Sequence, residues 1–114
     1  TNNSKLLPIF EIMIIYNNKN NQDNSVAVAL IKWLRTRIIL QAIQSGDLKE
    51  PCLAHLMVEN DGKSNSFSLQ FTVENVDTLE KWYKEYGAEL IREMECSFNQ
   101  KVVGFTTIMT VMDI

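Results

Sequence analysis

The run Ile9-Phe10-Glu11-Ile12-Met13-Ile14-Ile15-Tyr16 is almost wholly β-branched, aliphatic or aromatic, with Pro8 before it and Asn17-Asn18-Lys19-Asn20-Asn21 after it. It predicts a largely buried strand that ends in a polar loop. The period then changes. Ala27, Leu30, Ile31, Leu34, Ile38 and Ala42 recur at three and four, Asn24 or Ser25 can accept the first free amides, and Gly46 can take the left-handed conformation that ends a helix. A first helix is therefore predicted over roughly 25 to 45. A second stripe, Val26, Trp33, Leu40 and Ile43, makes it apolar around much of its circumference. Such a helix needs cover beyond its own sheet, from a partner subunit or a terminal segment.

Pro51 precedes Cys52-Leu53-Ala54-His55-Leu56-Met57-Val58-Glu59, and Asn60-Asp61-Gly62-Lys63 supplies turn chemistry before Ser66-Phe67-Ser68-Leu69-Gln70-Phe71-Thr72-Val73. These predict two strands of one hairpin, the second alternating strictly between an apolar and a polar face. Asp77 with Glu80 three positions later matches a capping box, and a second helix is predicted over about 78 to 98. Leu79, Tyr83, Tyr86, Leu90 and Met94 form its stripe, with Glu80–Lys84 and Lys81–Glu85 as i,i+4 pairs on the wet side. Gly87 inside it implies close packing or a bend. The last strand is Lys101 to Met112, interrupted by Gly104.

The order β-α-β-β-α-β is that of two right-handed split β-α-β units. It predicts an α+β, ferredoxin-like fold, a four-stranded antiparallel sheet with two helices on one face. Residues 1–8 are expected to be a flexible N-terminal segment and 9–114 a single domain. The second sheet face must be polar, wetted or covered. Met13, Ile15, Ile108 and Met112 keep the first and last strands apolar on both faces, so cover by a twofold homodimer is expected.

Composition narrows the function classes. The chain has 114 residues, 46% hydrophobic and 22% charged, and 11 Lys+Arg against 14 Asp+Glu leave a net charge of −3. A chain of this size buries about 65% of its unfolded surface and needs no staple. An acidic domain lacks the broad positive field that phosphate-backbone binding requires, and Lys32, Arg35 and Arg37 are read as a solvated helix face, so no nucleic-acid partner is expected. No apolar run spans a bilayer, so no membrane partner is expected either. Cys52 and Cys96 lie far apart with a single histidine in the chain, which excludes the usual zinc patterns and leaves buried, reduced thiols as the expectation. With Thr1 in place of an initiator Met, a processed or trimmed chain is expected. A cytoplasmic location is expected, with an upstream signal left open.

Several short pieces carry a resemblance. They are Ile14-Ile15-Tyr16-Asn17, the stretch from Trp33-Leu34 to Ser45-Gly46, Phe67-Ser68-Leu69-Gln70 where relatives read Tyr-Ser-Leu-Gln, Leu79-Glu80-Lys81-Trp82-Tyr83, and Lys101-Val102-Val103-Gly104-Phe105 with Thr107. On these the chain resembles the bacterial domain-of-unknown-function family forty-two eighty-six, itself similar to the dimeric α+β barrel superfamily, in which two ferredoxin-like sheets pack face to face. The resemblance implies a homodimer and carries over no catalytic residue. Relatives usually read Ile-Pro-Glu where this chain has Ile39-Leu40-Gln41, so its first helix is expected to be less kinked. Relatives often carry basic residues at Cys52 and His55, and no anion-binding role is transferred to those positions here.

Candidate chemistry centres on a cavity between sheet and partner. His55 shares a strand face with Leu53 and Met57. It is either a proton shuttle in that cavity or a hydrogen-bonded structural residue. Ser68, Gln70 and Thr72 could fix a ligand by hydrogen bonds, with Glu11 across the sheet and Asn17 at the cavity mouth. The same residues could simply form a wetted polar face. No serine has a neighbouring histidine, no glycine-rich phosphate loop is present, and no cofactor or metal is implied.

The expected function is that of a non-catalytic homodimeric barrel that binds a small, partly apolar ligand or serves as an assembly module. The alternative is a cofactor-independent monooxygenase- or isomerase-like enzyme with its pocket between sheet and partner subunit, using His55, Gln70 and Asn17. A third role is an interaction module that adds a partner strand to its sheet edge.

Overall fold

A computed structural model of the chain describes residues 6–17, 25–56 and 64–113. The strands are β1 (Ile9–Asn17), β2 (Leu48–His55), β3 (Ser64–Val73) and β4 (Val102–Met109). They form one antiparallel sheet in the order β2-β3-β1-β4. Its ladder extends back to Pro8, whose carbonyl accepts from the Val73 N–H at 3.0 Å. The first helix, residues 25–45, runs as α1 (Ser25–Trp33), a π-helical turn (Leu34–Ile39) and α2 (Leu40–Ser45). The second, residues 76–97, runs as α3 (Val76–Trp82), a π-helical turn (Tyr83–Gly87) and α4 (Ala88–Ser97). The fold is ferredoxin-like α+β, as the element order predicts.

Alternation decides what the sheet buries. Phe10, Ile12, Ile14 and Tyr16 of β1 and Phe67, Leu69, Phe71 and Val73 of β3 point to the helices, where Leu30, Leu34, Ile38, Ala42, Leu79, Trp82 and Met94 complete the core. Gly46 ends the first helix at φ 77°, as expected. The helices are tied to each other by Trp82 Nε1 donating to Gln41 Oε1 at 2.8 Å and by Arg37 donating to both oxygens of Glu93 at 2.8 and 2.9 Å.

Several expectations are corrected. β2 begins at Leu48 rather than Cys52 and contains Pro51. An edge strand tolerates proline, and one extra residue between Lys49 and Cys52, with Glu50 at φ 54°, forms a bulge that accommodates it. The second helix is capped by Asn75, whose side chain accepts from the Thr78 N–H at 2.8 Å, and Asp77 falls in its first turn. Its π-helical turn adds a residue to the repeat, so Trp82 and Gly87 face the core while Tyr86 is 41% exposed. The first helix also widens, without proline, where Thr36 Oγ1 donates back to the Lys32 carbonyl at 2.9 Å. Neither Glu80–Lys84 nor Lys81–Glu85 is an ion pair; the ion pairs among the described residues are Arg37–Glu93, Lys49–Glu74 and Arg92–Glu89. β4 stops at Met109, which leaves Met112 exposed beyond it. Both cysteines are free and exposed rather than buried. Asn24 and the turn Asn60-Asp61-Gly62-Lys63 lie outside the described residues.

Candidate functional site

The sheet face away from the helices carries two different stripes. Register places Ile9, Met13 and Ile15 of β1 beside Met109, Phe105 and Val103 of β4, and Phe105 is 55% exposed. Across β1 the same face continues through Ser66, Ser68, Gln70 and Thr72 of β3 to Cys52 and Ala54 of β2. One half is thus apolar and the other polar.

Glu11 stands at the boundary, opposite Gln70 on one side and Thr107 on the other. Its Oε2 accepts from Ser68 Oγ at 2.6 Å and from Gln70 Nε2 at 3.2 Å, and Gln70 Nε2 also lies 3.3 Å from Ser68 Oγ. Hydrogen bonds to a carboxylate are shorter and stronger than neutral ones, so the triad holds three side chains in one orientation. Ser68 is buried even though no helix covers it. Such a group offers acceptors to a hydroxyl or amine next to an apolar surface.

Three of the six candidate residues, Glu11, Ser68 and Gln70, are therefore brought together. Thr72 shares their face but is drawn to the bulge, its Oγ1 donating to Glu50 Oε2 at 3.3 Å. Asn17 closes β1 opposite Ser64, and its side chain lies outside the described set. His55 is not with them. It pairs in register with Phe67, stacks on that ring at a centroid distance of 4.9 Å and sits 3.3 Å from Asn65 Oδ1, all on the helix side of the sheet. Leu53 shares its face as alternation requires, but Leu53 lies opposite core Leu69, which places that face inside rather than on the open side. Ile108 is likewise corrected. It lies opposite Phe10 and so points to the helix side, while Phe105, which the sequence reading passed over, holds the open face. Neither parity of β4 is polar, so only pairing could reveal this.

A second concavity was not anticipated. Between β4 and the second helix, Phe10, Leu79, Glu80, Tyr83, Thr106, Thr107 and Ile108 line a groove of about 340 Å³. Among the described residues no group of three or more His, Cys, Asp or Glu side chains is placed to hold a metal ion, and no helix is long and apolar enough to cross a membrane.

Comparison with known proteins agrees with this geometry. Residues 13–112 match the family described as Domain of unknown function (DUF4286). No curated protein matches the sequence significantly. Among solved structures, a dimeric ferredoxin-like protein from an uncultured marine organism is similar over 94% of this chain and 99% of its own, at 12% identity and a TM-score of 0.55. A de novo designed protein, Foldit4, is similar over 92% of this chain and 98% of its own, at 13% identity and a TM-score of 0.51. At such identities the likeness is one of fold. The chain belongs to the DUF4286 family.

Proposed function

We propose that this member of the family acts as a non-catalytic homodimer, its two sheets packed face to face around a cavity that binds a small, partly apolar ligand. The observation that carries this is Phe105, 55% exposed on a sheet face it shares with Met13, Ile15, Val103 and Met109. An uncovered apolar stripe of that kind on a folded chain marks an interaction surface. A twofold axis through it would set one stripe against its copy. The Glu11–Ser68–Gln70 triad at its border would then line the space between the sheets, offering acceptors to a hydroxyl or amine on a ligand whose remainder meets the apolar half. The solved dimeric ferredoxin-like relative in fold is consistent with such an assembly.

The enzyme alternative draws less support. A pocket built from His55, Gln70 and Asn17 needs all three on one face, and His55 stands on the opposite side of the sheet from Gln70.

Light scattering on the purified chain tests the assembly. A mass of roughly 26 kDa is expected, twice the 13.1 kDa of one chain, falling to the monomer value in Phe105→Asp. A monomeric wild-type protein, or a Phe105→Asp dimer, would refute the face-to-face arrangement.

A further inference from the structure

The two edges of the sheet are built differently. β2 carries Lys49, the left-handed Glu50, Pro51 and a bulge, the devices by which an edge strand avoids accepting another chain. β4, Val102–Met109, has no charge, no proline and no bulge. Among the described residues one side chain caps its outer backbone: the Gly104 N–H donates to Glu95 Oε2 of α4 at 3.1 Å. Because that N–H turns away from β1, and backbone groups alternate sides along a strand, the N–H and C=O groups of Thr106 and Ile108 also face the free edge. They have no partner among the described residues. The side chains of the same two residues line the groove beside the second helix, over Phe10, Leu79 and Tyr83, with Glu80 at its rim. Glu80 forms no ion pair among the described residues.

From this we infer that β4 is a strand-addition site. An extended peptide pairs with Thr106 and Ile108, sets an apolar side chain into the groove against Leu79, Tyr83 and Ile108, and places a lysine or arginine next to Glu80. An open backbone edge selects an extended segment, the groove selects its alternate side chains, and the lone carboxylate selects a cation. The groove lies on the helix side, so the site is separate from the face-to-face dimer and stands whether or not that dimer forms.

The test uses the 114-residue chain and a capped heptapeptide alternating valine and threonine with one lysine, followed by fluorescence anisotropy and amide hydrogen exchange. Binding tighter than about 1 mM is expected, with exchange slowed at Thr106 and Ile108. Ile108→Asp, at a site 46% exposed and so tolerant of substitution, is expected to weaken it at least about tenfold. Glu80→Gln should weaken the lysine peptide about threefold and leave a lysine-free version unchanged. A peptide N-methylated at alternate residues should not bind. Three results would overturn the proposal: no binding at about 1 mM, equal binding of the N-methylated peptide, or Thr106 and Ile108 amides already protected in the protein alone, which would make a second copy the occupant.

Discussion

The indole N–H of Trp82 donates to the side-chain carbonyl of Gln41 at 2.8 Å, joining the π-helical region of one helix to the last turns of the other above a fully buried ring. Removing the acceptor leaves a buried donor unsatisfied, which costs about 1–3 kcal/mol. Gln41→Leu is accordingly expected to lower the urea midpoint with an unchanged m-value, whereas Gln41→Glu, which keeps an acceptor, should lose much less. Equal losses in the two variants would show that this bond does not join the helices.

Two glycines are expected to resist alanine for different reasons. At Gly87 an added Cβ would lie 2.6 Å from Trp82 Cζ3 and 2.9 Å from Tyr83 Cδ1. Helix propensity favours alanine by about 1 kcal/mol, but overpacking a core costs about 1–3 kcal/mol, so Gly87→Ala should destabilise. At Gly46 there is open space, and the cost is the left-handed backbone at φ 77°, about 1–2 kcal/mol. Chemical unfolding of both variants reads the signs; a stabilised Gly87→Ala would mean that the Trp82 ring yields.

Met13→Asp and Ile108→Asp separate the two sheet faces. Met13 pairs with Phe105 on the open face, while Ile108 pairs with Phe10 on the helix side. In light scattering, Met13→Asp should dissociate the proposed dimer and Ile108→Asp should leave it intact. The reverse pattern would move the interface to the groove side.

The cysteines provide an independent measure of assembly. Cys52 lies opposite Gln70 on the open face, and Cys96 is on the outer side of α4; both are exposed in the single chain. A thiol reagent should label Cys96 quickly in every form. Labelling of Cys52 should be slow in the dimer and become fast in Phe105→Asp. Equally fast labelling of both in the wild-type protein would argue against a covered face.

In the triad, Ser68→Ala removes the shorter of the two bonds to Glu11 Oε2 and leaves Gln70 as its remaining partner. A stability loss of about 1–3 kcal/mol is expected, because the bond is to a carboxylate. If thermal unfolding is unchanged within error, water replaces the hydroxyl and the triad is not a rigid unit.

Periodicity, with the capping candidates Asn24 or Ser25 and Gly46, determined the element order, the limits of the first helix at residues 25–45 and the inward set Phe67, Leu69, Phe71 and Val73, because repeats of two or of three to four and helix caps are local properties of the chain. It also brought Glu11, Ser68 and Gln70 into one candidate set, since Ser68 and Gln70 share the polar parity of a strictly alternating strand. Tertiary structure decided everything that depends on which neighbour a strand or helix meets. Alternation assigns His55 and Ile108 to a face but does not say which face the helices cover; the pairings His55–Phe67 and Ile108–Phe10 do. A π-helical turn shifted the phase of the second helix toward Trp82 and away from Tyr86, and packing around Gly87 accompanies that shift. The difference between the β2 and β4 edges likewise exists only once the sheet order is known, because a strand has a free edge only by virtue of what lies beside it.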